Sequence, residues 1–122
     1  MSQNPANVAA KNDLAATSLL LSSQLTHAHE TARELFSKYP SNAAIASTYA
    51  FSLYTQGRFD EARQAFAGVS PAGLEQPDVA LYYGLVLGTN SPAEARKYLR
   101  IAMRGIQLPE EKALAEETLK RL

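Results

Sequence analysis

A chain of 122 residues is one domain's worth of sequence, enough for a single modest core and too little for two. Its 12 basic and 12 acidic residues cancel without any run of like charge, so no field draws it to phosphate and nucleic acid is not an expected partner. With no cysteine there are no disulfide staples, thiolate metal sites or cysteine nucleophile, and no apolar run approaches the roughly 20 residues needed to span a bilayer, so no membrane is expected either.

The opening residues, MSQNPANVAAKND, lack the basic start and apolar run of a secretory signal, and a cytoplasmic location is expected. Residues 1–6 read as disordered, with Pro5 limiting how early a helix can begin. A first helix is predicted over about 8–21, with a dense Leu19-Leu20-Leu21. Ser22-Ser23-Gln24 breaks the pattern before a second helix over 25–38, with Ala28, Ala32, Leu35 and Phe36 inward. Pro40 pushes Tyr39 out of the α region, and Ser41 or Asn42 can cap the next helix. That helix, about 42–56, and its successor, about 59–67, form a hairpin. Gly57 can take the left-handed backbone between them. Asp60 and Glu61 favour the positive end of the dipole of the second, and Phe59, Ala62 and Phe66 recur at its inward spacing.

Gly68 to Pro77 holds two glycines and two prolines and reads as the loosest, most exposed connection. A fifth helix, about 78–87, is apolar nearly all round, as suits a helix buried between neighbours. Ser91-Pro92-Ala93-Glu94 reads as a capping box opening a sixth helix to about 104. Gly105 to Leu108 is a turn. Pro109 starts a seventh helix with Ala113, Leu114, Thr118 and Leu119 on its apolar side, and its charged side suits an end cap facing water.

The chain repeats itself. Ala28, Ala62 and Ala95 lie 34 and 33 residues apart, and Ala32, Phe66 and Leu99 keep those offsets. Ala15, Tyr49 and Tyr83 are spaced by 34 and 34, as are Ala16, Ala50 and Gly84, and Leu19, Leu53 and Leu87. A period of this length marks a helical repeat array. On these residues, with Ala46 and Ala80 or Asn12 at the tryptophan-type position, the chain resembles the tetratricopeptide repeat family over residues 8–104. The resemblance implies an all-α, right-handed superhelical solenoid of three helical hairpins (8–41, 42–76 and 77–108) with a capping helix at 109–122. About seven helices are expected, in one domain spanning 1–122.

Catalytic constellations are not expected. His27 and His29 point roughly 200° apart on a helix and cannot chelate one metal. Glu110-Glu111 and Glu116-Glu117 read as solvated charge beside lysines. There is no strand to carry a serine elbow, the glycines are scattered rather than gathered in a phosphate loop, and acid, base and nucleophile candidates never converge. Neither a cofactor nor a small-molecule substrate is therefore expected.

What remains is surface for binding. In the family resembled, the first helix of each hairpin lines a concave groove. Here those faces carry Asp13, Thr17 and Leu20, then Ser47, Thr48, Phe51 and Tyr54, then Asp78, Leu81, Tyr82 and Leu85. Some relatives hold a peptide's terminal carboxylate through lysine, arginine and asparagine; the matching positions here include Thr48 and Tyr82, which do not supply that charge. The expectation is a protein or peptide partner anchored by Phe51, Tyr54 and Tyr82. The alternative is a structural segment or homo-oligomerisation module of a longer repeat protein, with helix one at the interface.

Overall fold

The computed structural model describes residues 5–105 and 108–122, and among them it is all helical. In chain order the helices are α1 (Pro5–Leu20), α2 (Leu25–Lys38), α3 (Ala43–Thr55), α4 (Phe59–Gln64), α5 (Pro71–Leu74), α6 (Pro77–Leu87), α7 (Pro92–Met103) and α8 (Pro109–Arg121). Three hairpins, α1 with α2, α3 with α4 and α6 with α7, lie side by side. They are joined through their first helices, because α1 packs on α3 and α3 on α6, and α8 closes the stack against α6 and α7.

Position in the stack explains composition. The inner helices α3 and α6 each bury eight residues, α3 from Ile45 to Leu53 and α6 from Val79 to Leu87, since each is covered on several sides. The outer helices α2 and α7 bury one line apiece, Ala28, Ala32 and Leu35 or Ala95, Leu99 and Ala102, at the spacing of one helical face. The periodic alanines Ala28, Ala62 and Ala95 are all buried at crossings. Gly84 marks a close approach of α6 to α7: a Cβ there would lie 2.7 Å from Leu99 Cγ and 3.2 Å from the Leu99 backbone nitrogen. Helix axes about 8 to 10 Å apart tolerate only small residues at such points.

Aromatic rings fill the space beside the crossings. Phe36 stacks on Tyr49 between α2 and α3 with centroids 4.7 Å apart, and Tyr83 makes edge contacts with both Phe66 and Tyr98.

Two turns close hairpins in the same way. Gly57 has φ +76°, with its amide bonded to the Tyr54 carbonyl and the Arg58 amide to that of Leu53. This is the glycine-ended C-cap expected at that position. Ser22, at φ +55°, does the same for α1: its amide bonds to the Leu19 carbonyl and that of Ser23 to Ser18. At the start of α3, Asn42 Oδ1 accepts from the Ile45 amide at 3.1 Å.

The structure differs from the sequence reading in several places. Pro5 and Ala6, expected to be disordered, are already helical, while residues 1–4 lie outside the described residues, as do 106–107 of the expected Gly105 to Leu108 turn. The expected loose connection after α4 holds a short eighth helix, α5. Ser70 Oγ caps it by accepting from the Gly73 amide, and it is pinned by buried Val69 and by Gly73, whose hydrogen-for-Cβ gap admits Ala43. The α7 capping box does not form: Ser91 makes no side-chain cap, and its carbonyl instead accepts from the Ala95 amide. On α8 the buried line runs through Ala115 and Thr118 while Ala113 is exposed, because docking against both α6 and α7 turns a different face inward. Phe59, expected inward, is 40% exposed, its ring tilted against Tyr54.

Candidate functional site

Where the first helices of the hairpins line up, they leave a cleft of about 340 Å³ that α8 borders on the far side. Helix α1 contributes Asn12, Asp13, Ala16, Thr17 and Leu20; α3 contributes Ala44, Ser47 and Thr48; α6 contributes Asp78 and Tyr82. Leu108 and Glu111 complete the wall. The 3.6-residue period sets this grouping, since residues three and four apart on neighbouring parallel faces converge on one channel.

Of the eleven groove residues read from the sequence, Asp13, Thr17, Leu20, Ser47, Thr48, Asp78 and Tyr82 line this cleft. Phe51, Tyr54, Leu81 and Leu85 do not, and Leu81 is wholly buried. Leu85 is 1% exposed and Phe51 6% exposed, its ring 4.6 Å from that of Tyr82 and 6.2 Å from that of Tyr54. These rings join α3 to α6, so the expected anchor Phe51 and the expected groove residue Leu85 are core: a short stack has few other large side chains with which to fill it. Replacing Phe51 by alanine should cost roughly 3 to 5 kcal/mol of stability, which makes it a poor probe of binding.

The charged groups that line the cleft are all acidic. Ser47 Oγ and Thr48 Oγ1 both donate to the Ala44 carbonyl, at 2.8 and 3.0 Å, and both residues are buried, so their hydroxyl protons are committed within α3. The Tyr82 hydroxyl donates to Glu111 Oε2 at 3.3 Å. Burial raises the Tyr82 phenol well above its ordinary range, with the neighbouring Glu111 carboxylate adding to the effect. Glu111 is itself half-buried; desolvation raises its pKa, and the hydrogen bond from Tyr82 partly opposes that rise. Its reading as solvated charge is thereby corrected. Asp13 and Asp78 are exposed at the rim, and among the described residues no lysine, arginine or histidine lines the cleft.

Asn12 was legible only as a packing position. Its counterparts in the next hairpins, Ala46 and Ala80, are fully buried alanines, whereas Asn12 is 5% exposed and its Oδ1 has no hydrogen-bond partner among the described residues. A polar residue at a register occupied elsewhere by alanine was the signal available for it. A second cleft, between the start of α1 and the Tyr39 to Ile45 segment, shares Asn12, Asp13 and Ala44 with the first.

The histidines do not meet. His29 is half-buried, its Nδ1 2.6 Å from Ser52 Oγ and 3.3 Å from Gln56 Nε2, and His27 is exposed on the outer face. No helix among the described residues is long and apolar enough to cross a membrane.

The sequence profile described as tetratricopeptide repeat matches residues 19–86, more than half of the chain. No curated protein and no solved structure matches it. Side-by-side helical hairpins with small residues at their crossings and a profile match across the central ones agree, and the chain belongs to the tetratricopeptide repeat family.

Proposed function

We propose that the chain is a non-catalytic interaction module that holds an extended segment of a partner protein in the cleft between α1, α3, α6 and α8. Repeats of this family generally mediate protein–protein interaction. The observation that supports this cleft in particular is the convergence of seven expected groove residues from three successive hairpins on one open channel. Its volume accommodates a few side chains rather than a folded domain, as in peptide recognition by pre-formed grooves. Thr17, exposed on the cleft wall, is the site to block: Thr17→Trp should abolish capture of partner peptides while leaving the helical circular dichroism unchanged. Capture that survives this substitution would sink the reading.

A second reading has its own support. Leu14 is 62% exposed and Leu21 54% exposed, seven residues apart on one side of the α1 hairpin, and Leu25 follows close behind. Such leucines suit stacking against a second copy of the chain or a further repeat. Concentration-dependent dimerisation in sedimentation, abolished by Leu14→Lys with Leu21→Lys, is the expected result of that reading; a monomer at all concentrations excludes the second copy.

A further inference from the structure

Each later hairpin turns one face to the hairpin before it, and on α1 the same face lies open. Lys11, Leu14 and Ser18 hold the register of Ile45, Thr48 and Ser52 on α3 and of Val79, Tyr82 and Val86 on α6. Those six are buried in the stack, where α1 packs on α3 and α3 on α6, whereas Leu14 is 62% exposed. Between α1 and α2 the open face sinks into a hollow of about 210 Å³ that Leu14, Ala15 and Thr31 help to line. Ala15 stands where the next hairpins carry Tyr49 and Tyr83. Each of those rings meets a ring of the hairpin before it, Tyr49 on Phe36 at 4.7 Å and Tyr83 on Phe66 at 4.8 Å. Thr31 stands where α7 carries Tyr98, whose ring also touches Tyr83. The hollow therefore lies at the register of an aromatic contact that both junctions inside the chain make and this face lacks. The exposed Lys11 and Lys38 rim it, and among the described residues Glu34 is the one carboxylate in its wall.

We infer that this face takes an amphipathic helix of a partner protein, which lowers an aromatic side chain into the hollow against Ala15 and Thr31 and sets a carboxylate beside Lys11. Helices bring a ring to this register at both internal junctions, and continuing the stack calls for one here. The hollow is smaller than a small-molecule pocket and admits one large side chain. An aromatic ring buried in such a place is the kind of central anchor that dominates an interface. Lys11 lies about one helical turn from Ala15, which fixes where the occupant's carboxylate falls relative to its ring. A second copy fits less well: the ends with which it would stack, this same hollowed face and α8, offer no phenylalanine or tyrosine. The inference rests on the second reading above, that the α1–α2 face is an interface, and names its occupant.

A phage-displayed library of helical hairpins randomised on one face is selected on the full chain, and the chosen hairpins are measured by fluorescence anisotropy. They are expected to share a phenylalanine, tyrosine or tryptophan with an aspartate or glutamate about one turn away. Their affinity should fall about tenfold in Ala15→Tyr, which puts the tyrosine of the later hairpins into the hollow, and likewise in Leu14→Lys, a change at an exposed site that leaves the fold intact. It should fall in Lys11→Glu and with added salt, and stay unchanged in Thr17→Trp, which blocks only the cleft. Hairpins that are purely aliphatic on their binding side and hold Ala15→Tyr as tightly as wild type would overturn the aromatic insertion and leave the face an interface. An empty selection, or hairpins indifferent to Leu14→Lys, would overturn both. Concentration-dependent dimerisation lost in Leu14→Lys would assign the face to a second copy and overturn the partner helix.

Discussion

Ser22 occupies the position in its turn that Gly57 occupies in the next, and it does so with a side chain that disfavours the left-handed backbone by about 1 to 2 kcal/mol. Ser22→Gly removes that strain, and the greater freedom glycine gives the unfolded chain offsets only part of the gain. The variant should be more stable by roughly 0.5 to 1 kcal/mol in urea unfolding; a midpoint at or below wild type would show that the Ser22 turn is not strained. His29 carries a pH signature. Gln56 Nε2 can only donate, so Nδ1 accepts from it and from the Ser52 hydroxyl, and the ring is neutral. Burial lowers its pKa from 6.5. The stability of this contact is therefore complete above 6.5 and is lost as pH falls through the lowered value, because the unfolded chain takes up the proton first. Between neutral pH and about 5 the melting temperature should fall less steeply in His29→Ala than in wild type, and equal slopes would remove the histidine from the account.

Elements are set by crossings. Ala62 and Ala95 are wholly buried where α4 meets α3 and where α7 meets α6, so Ala62→Leu or Ala95→Leu overpacks a crossing and should cost on the order of 1 to 3 kcal/mol. Unchanged thermal melts for both would contradict the crossings. Gly84 weighs two effects against each other. Alanine improves the propensity of a helix interior by about 1 kcal/mol, but its methyl would sit 2.7 Å from a Leu99 carbon that the α7 backbone holds in place. Overpacking outweighs helix propensity at that distance, so Gly84→Ala should be net destabilising in the same melts. The periodic small residues Ala50 and Gly84 were readable from the chain alone because they answer to contacts that recur between hairpins, whereas Ala16, at the same register, is only partly buried and lines the cleft. The missing Ser91 cap and the inserted α5 were not: a capping side chain competes with the backbone geometry of its turn, and α5 owes its place to Val69 and Gly73 lodging against the stack.

At the scale of the whole molecule, α8 is a wall of the cleft as well as a cap. Its docking half-buries Glu111 beside Tyr82. Because folding raises the pKa of Glu111, its neutral form is the one the fold prefers. Stability is complete below the ordinary value of 4.5 and declines as pH rises through the raised one. Glu111→Gln keeps an acceptor for the Tyr82 hydroxyl and removes the charge. The variant should melt higher than wild type at neutral pH and alongside it below pH 4.5; a variant that melts lower at neutral pH would mean that the charged pair with Tyr82 outweighs desolvation.

The amino-acid order by itself determined the repeat length, the helical hairpins and the small residues at crossings, because each of these follows from side-chain periodicity along one helix or its copies, and the resemblance to the repeat family, laid on that period, supplied seven of the residues around the cleft. Only the tertiary structure decided that Phe51 and Leu85 are core, that Glu111 is partly drawn out of water and that Asn12 Oδ1 is buried without a partner among the described residues. A groove-facing and a core-facing position differ by about 100° of rotation on one helix, and which of them stays open depends on how its neighbours and α8 come to rest. That is a property of packing between elements, and no spacing within one of them encodes it.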